Sequence, residues 1–155
     1  MAEVGEAVLS QLSALRNASG TAETVGLSDS VITEFAARDP TLVVAIEEAT
    51  AYQKVIVVEF GHEVLMQDEV TLVKSLQADL INFYAPETVN PYVAIAGRGP
   101  WVITSHGAVL HDNGGYGMLA AGHGPETVIE AMSKNWVMAN VMTASFSQLR
   151  LTQRL

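Results

Sequence analysis

The chain has 155 residues, 49% of them hydrophobic and only 16% charged, with 8 Lys and Arg against 17 Asp and Glu, a net charge of −9 and no cysteine. This balance excludes a disordered chain, and it argues against nucleic acid or an anionic membrane as a partner, because both repel an acidic surface. It also leaves no disulfide framework and no thiolate chemistry; with neither a signal peptide nor an apolar run near the ~20 residues a bilayer requires, a soluble cytoplasmic protein is expected.

The chain up to about Ala85 reads as helical. Val4, Val8, Leu12 and Leu15 recur at helical spacing before Asn17-Ala-Ser-Gly20 breaks the pattern. Ser28 or Ser30 is placed to cap a second helix carrying Val31, Ile32 and Phe35. Asp39-Pro40 ends that helix and opens a third through Leu42, Val43, Ile46 and Ala49. The β-branched run Val55-Ile-Val-Val58 suits a buried strand or a continuation of the third helix, and the helix is the expectation. Asp68 is placed to cap a longer helix in which Val70, Val73, Leu76, Leu80 and Phe83 share one face until Ala85-Pro86 stops it. The acidic pairs Glu47-Glu48 and Asp68-Glu69 read as solvated helix charges. The polar stretch between Pro86 and Pro91 marks a boundary, with helices before it (residues 1–85) and strands after it (residues 92–155).

Past that boundary the composition changes. Residues 97–125 hold eight of the twelve glycines and three of the four histidines. Gly99-Pro100 sets a turn, Trp101 to Thr104 is a short β-rich run, Ser105-His106-Gly107 turns again, and Ala108 to Leu110 is a second run, which together predict a β-hairpin or meander. Asn113-Gly-Gly-Tyr-Gly117 follows, presenting Tyr116 from a nearly bare backbone. Asp112 is expected to close the strand by bonding turn amides, and His123 to bond backbone at a helix entry. Pro125 and Glu126 suit the first turn of a helix running to Met132. His106, His111, Asp112 and His123 offer imidazole and carboxylate groups to a metal, but no pair has a recognised ligand spacing. The chain ends at Leu155 in mid-pattern and reads as truncated.

The order Gly99, Trp101-Val102, Gly107, Leu110, Asp112, Gly115-Tyr116-Gly117, Gly122-His123 and a helix from Pro125 resembles the N-terminal part of the class III aminotransferases, fold-type-I enzymes that use pyridoxal phosphate. The match covers about Arg98 to Leu155. Thr104 stands where that family often has an acidic residue, His111 precedes Asp112 where an apolar residue is usual, and Gly124-Pro125 is one residue tighter than the common pattern. The resemblance implies an α+β chain: an N-terminal helical region, a small antiparallel strand set, and the first helices of a truncated fold-type-I large domain. It implies transfer of an amino group from an amino donor to a 2-oxo acid, with Gly115, Tyr116 and Gly117 lining the substrate pocket. It also implies a homodimer, or association with a missing C-terminal remainder. Without the resemblance, Tyr116 reads as an ordinary packed aromatic beside a glycine bend.

Pyridoxal phosphate requires a Schiff-base lysine and a phosphate cradle, which that family carries downstream of the matched segment. Lys54, Lys74 and Lys134 are the only lysines here. None is placed as a Schiff-base lysine, so this segment alone is not expected to bind the cofactor or to be active. The alternative is a non-catalytic helical interaction domain carrying a β-hairpin. The long apolar run from Trp136 to Met142, with Phe146 beyond it, is expected to drive association if left uncovered.

Overall fold

Val8, Leu12 and Leu15 put one buried stripe on α1 (Ala2–Asn17), while Val4, a turn earlier on the same stripe, is exposed near the helix start. The computed structural model describes residues 2–81, 85, 88–113, 121–135 and 152–154. Ser28 is the N-cap of α2 (Asp29–Ala36), without a side-chain capping bond, and Ile32 and Ala36 face inward. At α3 (Pro40–Phe60) the Asp39 carboxylate accepts from the Thr41 amide and Pro40 occupies the first turn, where a missing N–H costs nothing. The helix runs through Val55–Val58, as expected, and stops at Gly61, whose φ of 86° is closed to most side chains. A 3-10 turn (His62–Val64) then leads to α4 (Glu69–Gln77), capped by Asp68 through the Thr71 amide and hydroxyl.

α4 departs from its predicted face. Glu69 and Leu72 turn inward, whereas Val70, Leu76 and Leu80 are exposed, and the helix ends at Gln77; Phe83 lies outside the described residues. The physical cause is a clamp on the segment between α1 and α2. The Glu69 N–H donates to the Thr21 carbonyl, and its carboxylate Oε2 accepts from the amides of Glu23 (2.8 Å) and Thr24 (2.6 Å). Glu69 is therefore fully buried, not the solvated charge its sequence position suggests. The clamped segment continues to the sheet, where the Leu27 amide reaches the Val109 carbonyl.

Three strands, β1 (Ala94–Arg98), β2 (Trp101–Thr104) and β3 (Val109–His111), form an antiparallel sheet in the order β1-β2-β3, as the glycine turns predict. Arg98 pairs with Trp101 across the Gly99-Pro100 turn, and Ile103 pairs with Val109 across Ser105–Ala108. Gly107 carries the second turn at φ 74°, with its position for a Cβ only 2.6 Å from Arg16 Cγ.

Three short strands cannot enclose a core by themselves. Trp101, Ile103 and Val109 therefore bury against Leu12 and Leu15 of α1, Ile32 of α2 and Leu42, Ile46 and Ala49 of α3, so helices before residue 85 and strands after residue 92 share one core. Buried aliphatic and aromatic side chains of this kind contribute about 1.5–3 kcal/mol each. The chain divides into two compact units, Met1–Pro125 and Glu126–Leu155, and the second contains α5 (Glu126–Met132) with an i,i+4 ion pair between Glu130 and Lys134.

Candidate functional site

Trp101 anchors the end of the sheet that leads to the glycine-rich segment. Its indole N–H donates to Asp39 Oδ2 at 2.7 Å, and its ring meets Phe35 and His111 edge-on, with centroids 5.1 and 4.9 Å away. Burial pushes the Asp39 carboxyl up, but hydrogen bonds from the Thr41 hydroxyl, the Trp101 indole and the Thr41 amide outweigh it. With a smaller contribution from His111, they hold the group below its ordinary value of 3.8. One carboxylate thus caps α3 and fixes the aromatic side chain that starts β2.

The glycine-rich segment is tied at its base. The amide of Asp112 donates to the Pro100 carbonyl (2.7 Å), and the amide and carbonyl of His123 pair with those of Gly99 (2.8 and 2.9 Å). The His123 ring meets Asp112 through Nε2 and Oδ2 at 3.0 Å, with both side chains half-buried. Glycine is required at this crossing: Gly122 has φ 75°, and a Cβ there would lie 2.9 Å from Gly99 Cα. Arg98 completes the base by donating to the Gly124 carbonyl (2.8 Å) while its Nε lies 2.9–3.0 Å from both carboxylate oxygens of Glu48 on α3. Glu48 is accordingly half-buried and ion-paired, correcting the reading of Glu47-Glu48 as two solvated charges. Asp112 and His123 therefore meet at the two ends of the ten-residue stretch 113–122.

Gly115, Tyr116 and Gly117, the expected substrate-pocket residues, lie outside the described residues, as do Trp136 to Phe146. The histidines do not converge. His106 is buried between the Ser105 hydroxyl and the Gln67 carbonyl, each at 3.0 Å; a carbonyl only accepts, so Nε2 carries the proton and Nδ1 accepts from Ser105. His111 turns its Nδ1 to Asn113 Oδ1 at 2.6 Å. Among the described residues no group of three or more His, Cys, Asp or Glu is placed to hold a metal.

The three lysines do not fit a pyridoxal phosphate site. Lys54, Lys74 and Lys134 are all exposed, with the first two on helix surfaces and Lys134 paired to Glu130. A Schiff-base lysine needs a desolvated position facing the cofactor, which none of them occupies. The contacts that sequence reasoning missed are long-range ones: Asp39 with Trp101, Glu48 with Arg98, and Glu69 with Glu23 and Thr24. No protein-family model, curated protein or solved structure matches this chain.

Proposed function

We propose that this chain is the N-terminal segment of a class III, fold-type-I aminotransferase, an enzyme that moves an amino group from an amino donor to a 2-oxo acid. The supporting observation is the order of elements from Arg98 onward. An antiparallel meander with glycine at both bends, a last strand followed by Asp112, and a helix beginning at Glu126 just after Gly122-His123 follow one another in the order the family resemblance implies. In this reading the chain's task is to present Gly115-Tyr116-Gly117 as one wall of the substrate pocket. The paired Asp112 and His123 anchor both ends of that span to the sheet.

Because the lysines here do not fit the cofactor, no chemical step is assigned to this chain. A helical interaction domain is the competing reading, favoured by the exposed apolar side chains of α3. A cytoplasmic location belongs to the same proposal; among the described residues no helix is long and apolar enough to cross a membrane. Sequencing the transcript beyond the Leu155 codon tests the proposal. The expected result is an open frame encoding a glycine-rich phosphate loop and a later lysine. A stop codon directly after Leu155, with no separately encoded large domain that co-purifies with the chain, would overturn it.

A further inference from the structure

α3 is apolar around most of its circumference, yet the core uses only one side of it. Leu42, Ala45, Ile46, Ala49 and Gln53 face inward. On the opposite side Val44 (39%), Val55 (50%) and Val58 (87%) are exposed, with Ala51 exposed between them. Positions 44, 48, 51, 55 and 58 fall within about 80° of one another at 100° per residue, and their 4-3-4-3 spacing is that of a two-helix seam. The only charged member, Glu48, is neutralised by Arg98. Glu47 and Lys54 border the seam on one side; both are exposed and neither makes an ion pair with a described residue.

We propose that this face of α3 binds a second copy of the chain, the two α3 helices packing antiparallel. The seam is complementary to itself in that orientation. A two-fold axis between Ala49 and Thr50 sets Val55 against Val44 of the other copy and Glu48 against the small Ala51. It brings Glu47 beside the other copy's Lys54, and symmetry makes that ion pair twice. Parallel packing would instead place Glu48 against its own equivalent. The net charge of −9 on each copy opposes association at long range, but at about 0.15 M salt that repulsion is screened beyond about 8 Å while the contact pairs persist. This surface lies wholly within residues 40–60 and does not depend on the aminotransferase reading.

Sedimentation velocity of the 155-residue chain at about 0.15 M salt, from about 10 to about 200 µM, tests it. A concentration-dependent monomer–dimer equilibrium is expected. Val55→Asp should abolish the dimer. Because Val55 is half exposed, its melting temperature at high dilution should be unchanged, which separates lost pairing from lost folding. Glu47→Lys and Lys54→Glu should each weaken the dimer about tenfold by converting two attractions into two repulsions. The double variant should regain native affinity, and an equimolar mixture of the two single variants should form heterodimers. A monomer at every concentration would overturn the proposal. So would a dimer indifferent to Val55→Asp and to both charge reversals.

Discussion

Asp39 carries more of this structure than its place between two helices suggests. Its carboxylate caps α3, accepts from Thr41 and holds the indole of Trp101, 62 residues further along the chain. Replacing it by Ala removes the cap and leaves the buried indole N–H unpaired, for an expected loss of about 2–3 kcal/mol in chemical denaturation. Asp39→Asn keeps an acceptor and should cost less. The pH dependence follows from the depressed pKa. The folded-state carboxyl titrates below 3.8, so its stabilisation is complete above that value and fades as pH falls through the folded-state pKa. Acid titrations of the wild type and Asp39→Asn should therefore keep a constant offset above pH 3.8 and converge as the pH falls below it. Parallel curves would assign the acid sensitivity to other groups, Asp68 among them, whose carboxyl is lowered first by the Thr71 amide and then by the Thr71 hydroxyl.

The elements are held in place by segments with no regular structure. Residues 18–28 form a strap whose Gly20 amide bonds the Leu65 carbonyl, whose Thr21 carbonyl takes the Glu69 amide, and whose Leu27 amide reaches β3. This strap, and not α4's apolar periodicity, fixes which side of α4 faces inward. At Gly20 a Cβ would lie 2.2 Å from the Gln67 carbonyl oxygen and 2.5 Å from that of Met66. Both are backbone atoms that no side-chain rotation relieves, so Gly20→Ala should cost about 1–3 kcal/mol or more. Amide exchange locates the effect: Glu69 and Leu27 should lose protection, while α3 amides around Ile46 keep theirs at the level set by global stability. Uniform loss of protection across the chain would show that the strap and the core unfold together.

At the scale of the whole molecule, the helices and the sheet share one core in residues 1–125, and the base of the glycine-rich span is bolted to that core through Trp101, Arg98 and the Gly99–His123 pairing. The binding wall proposed on this base does not by itself make an aminotransferase. Mixing the isolated chain with pyridoxal phosphate should give only slow, substoichiometric adducts at exposed lysines, since Lys54, Lys74 and Lys134 all face solvent. A single borohydride-trapped adduct formed stoichiometrically at one of them would show that the chain builds a cofactor site of its own.

Local chemistry was legible in the residue order. Val8, Leu12 and Leu15 on one face of α1, the Asp39-Pro40 and Asp68 helix starts, the helical course of Val55–Val58 and the glycine bends at Gly99 and Gly107 all depend on neighbours a few positions apart. Such signals survive without a fold. The roles of Glu48 and Glu69, and the hold of Asp39 on Trp101, were not legible, because each is set by partners 45 to 62 residues away, on elements whose packing no local pattern encodes. Glu69 looks like an ordinary first-turn acid until two amides of the 18–28 strap close on it. Asp112 and His123 were singled out separately by the sequence. Only the folded sheet, by pairing His123 with Gly99 beside the end of β3, brought carboxylate and imidazole to 3.0 Å and made of them a single base.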